Sequence, residues 1–187
     1  MAKKKTEEKE SKEEKIKPIK AILSQDSVTS NTKEAMNLYG SQRFGELVEG
    51  KILYSIPEAL FLTEKKKMNV YEKSKKITFE KLMEKAIELD NKIQTKFIVF
   101  KDLRARGYIV KTALKFGAEF RIYDKGVHPG QDHARWILYP VKENDNLTWH
   151  DFSAKNRVAH STKKNLLIAI VDDENEITYY EIKWTRP

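Results

Sequence analysis

Short apolar runs separated by polar segments mark the first half of the chain and predict a small α/β module. Runs of apolar residues bounded by polar ones predict strands over residues 19–23, 47–54 and 68–71. Apolar residues at helical spacing predict helices over residues 32–38, 55–63 and from Thr78 onward. The alternation of short strands and helices indicates that this half folds around its own sheet.

Two of the predicted helices carry end signals in the sequence. Ser55 is followed by a proline and then by Glu58 at the third helical position, which is typical of a capping box at a helix N-terminus. Residues 95–106 predict a helix with three bulky apolar side chains on one face, and Gly107 follows where a left-handed residue ends many helices. These signals fix where two of the elements should begin or end.

The second half of the chain predicts mainly strands. They are expected over residues 108–112, 118–123 and 135–141, followed by a helix from about Trp149 and a hairpin formed by residues 165–171 and 177–184. The predicted fold class is therefore α+β, with a small N-terminal α/β module followed by a C-terminal mixed β-sheet domain with flanking helices. We expect a disordered charged tail over residues 1–16, an N-terminal domain over 17–92 and a C-terminal domain over 93–187.

Composition limits the possible environments of this protein. The 187 residues are 40% apolar and 10% aromatic, which is enough to form a core. No run approaches the roughly eighteen consecutive apolar residues of a membrane-spanning helix. The lysine- and glutamate-rich first residues contain no apolar stretch of the kind found in secretory signals, so a cytoplasmic protein is expected.

Charge and side-chain inventory narrow the chemistry. The net charge of +8 favours a polyanionic partner such as nucleic acid, although the excess is modest and spread along the chain. The absence of cysteine excludes disulfides, thiolate nucleophiles and thiolate zinc sites. All four histidines lie in the C-terminal half, at His128, His133, His150 and His160. Any imidazole chemistry must therefore be carried there.

Tyr123 is the last residue of a predicted strand with alternating polarity. Period two places Ala118, Phe120 and Ile122 on one face of residues 118–123, and it places Tyr123 on the other. A tyrosine in such a position is more commonly half buried with its hydroxyl in water than catalytic. Spacing alone therefore favours the structural interpretation of Tyr123.

The loop after Tyr123 contains two histidines, and loops held by a rigid scaffold often carry functional groups. His128, Asp132 and His133 together supply nitrogen and oxygen ligands, so a metal site is one interpretation of this segment. Their spacing matches no helical zinc motif. A role for His133 as a proton donor or acceptor is the favoured interpretation.

A cationic segment precedes the last hairpin. Arg157, Lys163 and Lys164 lie at the end of the predicted helix, where cations commonly complement the helix dipole. The neighbouring pair His160 and Ser161 has no spacing that supports a serine-histidine-aspartate arrangement. The residues alone thus leave a structural and a functional interpretation open here.

Four segments in fixed order resemble the archaeal tRNA-splicing endonuclease family, also called the tRNA-intron lyases. They are FKDLRARGYIVKT at residues 100–112, KFGAEFRIY at 115–123, RVAHS at 157–161 and IAIVD at 168–172. The resemblance covers essentially all of residues 95–187, whereas the N-terminal module resembles the family only in size and element pattern. It implies a nuclease-like fold for the C-terminal domain and membership of the short, single-module type.

The resemblance also implies an active site. In the family, a tyrosine that ends a strand, a histidine in the following loop and a lysine that begins a late strand act together. Carried over, these residues are Tyr123, His133 and Lys164. His133 is preferred to His128 because it lies just before the next strand, and Lys164 is preferred to Lys163 by its distance from the preceding histidine-serine pair. The choice between the two lysines stays open at this point.

The implied activity is cleavage of precursor tRNA at both intron boundaries within a bulge-helix-bulge, giving 2′,3′-cyclic phosphate and 5′-hydroxyl ends. No metal or other cofactor is implied, because the substrate's own 2′-hydroxyl is the nucleophile. Tyr123 would accept its proton, His133 would protonate the leaving oxygen, and Lys164 would stabilise the phosphorane. Arg157 is the candidate for stacking on a bulge base during RNA binding.

Partners follow from the same resemblance. Short members of the family are homotetramers, and residues 142–147 supply acidic side chains of the kind that members insert into a neighbouring subunit. The alternative is the catalytic subunit of a heterotetramer. Two competing functions are a noncatalytic nucleic-acid-binding or structural subunit related to the enzyme, and a metal-dependent nuclease. The metal-dependent nuclease fits poorly because Asp172 and Asp173 lie in a predicted turn.

Overall fold

The computed structural model describes residues 17–25, 27–114, 117–127, 129–130 and 132–185. The predicted tail over residues 1–16 and the candidate ligand His128 lie outside the described residues. Within them, helices accompany two mixed sheets, one in each half of the chain. The predicted α+β class is confirmed.

The N-terminal sheet has six strands in the order β3-β4-β2-β1-β5-β6. Strands β1 and β5 run parallel, and the other neighbours are antiparallel. The strands are β1 (Ile19–Ser24), β2 (Ser27–Ser30), β3 (Glu46–Val48), β4 (Lys51–Tyr54), β5 (Met68–Glu72) and β6 (Lys75–Lys76), and the helices are α1 (Lys33–Gln42), α2 (Ile56–Glu64) and α3 (Phe79–Leu89).

The prediction of one strand over residues 47–54 is wrong. Strands β3 and β4 form a hairpin there, with Val48 paired to Lys51. Glu49 and Gly50 turn the chain with φ of 48° and 77°. A two-residue turn with both φ values positive matches the twist of antiparallel strands, so the apolar run is folded back on itself. Strands β2 and β6 were not predicted, because they are short and polar.

The C-terminal sheet has five strands in the order β11-β10-β9-β8-β7. Only β9 and β10 are parallel neighbours in this sheet, and α5 connects them. The strands are β7 (Ile109–Ala113), β8 (Ala118–Tyr123), β9 (Trp136–Lys142), β10 (Asn165–Val171) and β11 (Ile177–Ile182), and the helices are α4 (Ile93–Ala105) and α5 (Trp149–Ser161).

Helix ends follow the sequence signals. The Glu58 carboxylate accepts a hydrogen bond from the backbone N–H of Ser55 at 3.0 Å, as expected for the capping box that opens α2. Gly107 adopts a φ of 90° just after α4.

A row of aromatic rings connects the two halves of the chain. Phe44 contacts Phe61, Phe61 contacts Phe100, and Phe100 contacts Phe120, with centroid separations of 5.7, 5.9 and 6.0 Å. The main apolar core is therefore shared by both modules.

A buried ion pair also joins the modules. The ammonium of Lys111, on β7, lies 3.0 Å from the Glu58 carboxylate, on α2, and the two residues are 5% and 4% exposed. The backbone N–H of Gly45 donates to Glu58 at 2.8 Å, and Lys111 donates to the Gly45 carbonyl. Each charge is therefore paired and hydrogen-bonded, which is the condition for keeping it out of water.

We expect Lys111→Ala to lower the free energy of unfolding by about 3–5 kcal/mol, because it leaves the Glu58 carboxylate buried without a cation. Chemical denaturation followed by circular dichroism measures this loss. The control is Lys81→Ala, which removes the cation of an exposed pair on α3 and should cost much less than Lys111→Ala. Equal losses in the two variants would contradict the assignment.

Candidate active site

Three of the predicted site residues line one cavity. It has a volume of about 520 Å³ and is lined by Arg121, Tyr123, Gly130, Asp132, His133, Ala134 and Lys164. A larger groove, of about 910 Å³, lies between α4 and the turn after β10 and contains none of the three. The smaller cavity, which all three residues line, is therefore the candidate active site.

Sheet topology explains why residues so far apart in sequence meet. Strand β8 is antiparallel to β9, so its last residue lies beside the first residues of β9. Strand β9 is parallel to β10, so both begin at the same edge, with Trp136 opposite Asn165. Tyr123 ends β8, His133 precedes β9 and Lys164 directly precedes β10. One edge of the sheet thus collects all three residues.

Tyr123 projects from the face opposite the main core, as the alternation of β8 predicts, but its environment differs from the expectation. Tyr123 as a whole residue is only 5% exposed, because Ile109 and Ala134 pack with it in a small apolar cluster. Burial raises the pKa of Tyr123, the cation of Arg121 opposes that rise, and the carboxylate of Glu46 adds to it. A half-buried ring was therefore the wrong expectation for Tyr123.

His133 lies in the loop between β8 and β9 and is exposed to solvent. Its backbone N–H donates to the Asp132 side chain at 2.6 Å. The loop turns with positive φ at Gly126 and Gly130, and Gly130 itself lines the cavity. The exposed imidazole is thus available to a ligand that enters the cavity.

The end of α5 positions Lys164. Lys163 adopts a left-handed φ of 56°. Its backbone N–H donates to the His160 carbonyl at 2.9 Å, and that of Lys164 donates to the Ala159 carbonyl at 2.9 Å, which is the Schellman pattern. This cap ends the helix and directs the chain into β10.

The two adjacent lysines consequently differ in environment. Lys164 is half buried, lines the cavity and donates from Nζ to the Thr162 carbonyl at 2.7 Å, whereas Lys163 is exposed. Burial lowers the pKa of Lys164, and the nearby cation of Arg121 lowers it further. The structure therefore places Lys164, rather than Lys163, with Tyr123 and His133.

Arg157 is not part of the cavity wall. It lies on α5 as an exposed side chain. His160, on the same helix, packs its ring against Trp184 at a centroid distance of 4.5 Å. The proposed contact between Arg157 and RNA stays a prediction.

One residue of the cavity had no predicted role. Arg121 lies on the same face of β8 as Tyr123, so the alternation that places Tyr123 also places Arg121. Its guanidinium Nη2 lies 3.2 Å from the Glu46 carboxylate on β3. The sequence contained the shared face but no signal for this partner, which is remote in the chain.

Within the described ranges, no group of three or more histidine, aspartate or glutamate side chains is arranged to hold a metal ion. The candidate set of His128, Asp132 and His133 is not tested by this, because His128 lies outside those ranges. Over the same described residues, no helix is long and apolar enough to cross a bilayer.

Comparison with known proteins places both halves of the chain. Residues 93–179 match the family model for the tRNA intron endonuclease catalytic C-terminal domain, and residues 19–83 match that for the N-terminal domain of the same enzymes. The chain belongs to the tRNA intron endonuclease family. Tyr123, His133 and Lys164 all fall within the match to the catalytic domain of this family.

Relatives that match along most of their length support this membership. A tRNA-splicing endonuclease of Thermococcus onnurineus is 42% identical over 170 residues, which is 90% of this chain and 98% of the relative. One from Thermococcus gammatolerans is 44% identical over 88% of this chain and 96% of its own. One from Nanoarchaeum equitans is 42% identical over 75% and 94%, respectively. The similarity to the endonuclease family therefore includes the N-terminal module.

We expect Lys163→Gly to leave stability unchanged or to raise it by up to about 1 kcal/mol, since glycine adopts the left-handed conformation without strain. Lys163→Val should cost about 1–2 kcal/mol at the same position. Thermal unfolding of the two variants measures the difference. A valine variant as stable as the glycine variant would contradict the proposed cap.

Proposed function

We propose that this protein cleaves precursor tRNA at both intron boundaries in a bulge-helix-bulge, without a metal ion, and leaves 2′,3′-cyclic phosphate and 5′-hydroxyl ends. The observation that carries the proposal is the convergence of Tyr123, His133 and Lys164 on one cavity of a family endonuclease. A phenol, an imidazole and an ammonium provide proton transfer and charge stabilisation. These are the two contributions that such a reaction needs from the protein.

In the proposed reaction, the 2′-oxygen attacks the adjacent phosphorus as its proton passes to the phenolate oxygen of Tyr123. The bond from phosphorus to the 5′-oxygen breaks, and His133 donates a proton to that oxygen. Lys164 stabilises the additional negative charge on the phosphorane. The exposed position of His133 suits a group that must reach the leaving oxygen, and the half-buried position of Lys164 strengthens its interaction with a phosphate.

RNA binding and assembly complete the proposal. Arg157 stacks on a bulge base from its exposed position on α5.

The protein acts as a homotetramer in the cytoplasm, with the catalytic subunit of a heterotetramer as the alternative. The acidic residues of 142–147 already have partners within the chain: Asp145 contacts Lys92 at 3.4 Å, and Glu143 accepts from the Asp173 backbone at 3.2 Å. Their use between subunits would require an exchange of these contacts.

The direct test uses the purified protein alone with an intron-containing precursor tRNA in EDTA, followed by end-group analysis. We expect cleavage with cyclic-phosphate ends, and His133→Ala should slow single-turnover cleavage by about 10²–10⁴-fold through loss of the general acid. Cleavage that stops in EDTA would count against the metal-independent mechanism. Activity of the isolated chain would also exclude an obligate heteromer.

The neighbouring lysines provide a matched pair of variants. Lys164→Ala should reduce the cleavage rate by about 10²–10³-fold, as expected when one stabilising group for a developing oxyanion is removed. Lys163→Ala should cleave at the wild-type rate, because Lys163 is exposed and does not line the cavity. A larger loss of cleavage with Lys163→Ala than with Lys164→Ala would show that Lys163, and not Lys164, has this role.

A further inference from the structure

Arg121 occupies a wall shared by two cavities. It lines the cavity of Tyr123 and Lys164, and it also lines an adjoining one of about 280 Å³ together with Glu46 of the N-terminal module. Its side chain is 29% exposed, and its Nε is buried with no hydrogen-bond partner among the described residues. Its Nη2 forms an ion pair with the Glu46 carboxylate. Arg121 is therefore held from the N-terminal side and faces the catalytic side.

Glu46 is itself held by the buried contacts between the modules. Gly45, the preceding residue, is fixed by its hydrogen bonds with Glu58 and Lys111. Gly45 has a φ of 74°, and a Cβ there would clash with the Ile52 side chain, so this position requires glycine. The start of β3, which carries Glu46, is thereby fixed relative to β7 and β8.

We propose that Arg121 is a further positioning residue of the active site, an inference that rests on the proposed function. Glu46 holds the Arg121 guanidinium beside Tyr123 and Lys164. In that position the positive charge of Arg121 favours the phenolate of Tyr123. This gives the N-terminal module a direct part in the chemistry. The guanidinium acts on the reaction through Tyr123.

The charged groups around Tyr123 come from four places. Arg121 lies on β8, Glu46 on β3, Asp132 and His133 in the loop before β9, and Lys164 before β10. The cation of Arg121 lowers the pKa of Tyr123 against the effects of burial and of Glu46. A tyrosine serves as a base at neutral pH only when nearby cations favour its ionised form. Arg121 supplies such a charge from a position that a carboxylate fixes.

The test combines Arg121→Gln, Arg121→Lys and Glu46→Gln, each read in two ways. Tyrosine labelled at Cζ with ¹³C reports ionisation of Tyr123 by NMR, with Tyr123→Phe identifying its signal. Single-turnover cleavage of precursor tRNA reports the chemical step. Glu64→Gln is the matched control, since it removes a carboxylate paired at 2.7 Å with Lys101 across the same two modules but away from the cavity.

We expect Arg121→Gln to make Tyr123 ionise at higher pH and to slow cleavage by about tenfold. This loss is smaller than the roughly 10²–10⁴-fold contribution of a complete general base, because Tyr123 itself remains. Arg121→Lys should recover most of both, because it keeps the charge. The Arg121→Gln effect should be at least about threefold smaller in a Glu46→Gln background, since coupled residues are not additive. Glu64→Gln should behave as wild type in both measurements.

Two results would overturn the inference. One is an Arg121→Gln variant with wild-type ionisation of Tyr123 and wild-type cleavage. The other is an Arg121→Gln effect of the same size with and without Glu46. Loss of cleavage in Tyr123→Phe alongside either result would reject this inference alone, whereas wild-type cleavage by Tyr123→Phe would reject the proposed active site itself.

Discussion

The buried pair of Lys111 and Glu58 fixes how the two modules meet, beside the apolar core that they share. A charge removed from water is tolerated only when it is paired and hydrogen-bonded, and each partner here comes from a different module. Gly45 completes the arrangement by donating to one charge and accepting from the other. This network lies beside β7, the neighbour of the strand that carries Tyr123 and Arg121. The modules therefore cannot shift relative to each other without exposing these charges or leaving them unpaired.

The cavity of Tyr123, His133 and Lys164 lies within the C-terminal module, and its parts come from separate segments of the chain. A single sheet edge collects the end of β8 and the residues that precede β9 and β10, and hydrogen bonds between the strands fix their register. The cap of α5 then selects which of two adjacent lysines turns towards the cavity. Backbone geometry therefore brings the three residues of this site together.

Burial in the free protein favours the neutral forms of both a phenol and an ammonium. It raises the pKa of Tyr123 and lowers that of Lys164, whereas Arg121 lowers the pKa of both. A bound phosphate would bring a negative charge that favours the ammonium of Lys164. Its charge would disfavour the phenolate of Tyr123, so a fixed cation such as Arg121 would be of most use when the substrate is bound. This balance between burial and charge bears on RNA cleavage because the chain belongs to an endonuclease family.

The sequence by itself determined most elements of the fold, because periodicity, a capping box and Gly107 report local hydrogen bonding and burial. Ordered motifs also pointed to Tyr123, His133 and a lysine before β10. The turn at Glu49 and Gly50, the burial of Lys111 and the partner of Arg121 were decided only by the tertiary structure. Local patterns describe one element at a time, whereas an ion pair between residues 58 and 111, or 46 and 121, forms only when the packed chain brings them together. Lys164 was separated from Lys163 in the same way, since the direction of each side chain is set by the helix cap and the neighbouring strands.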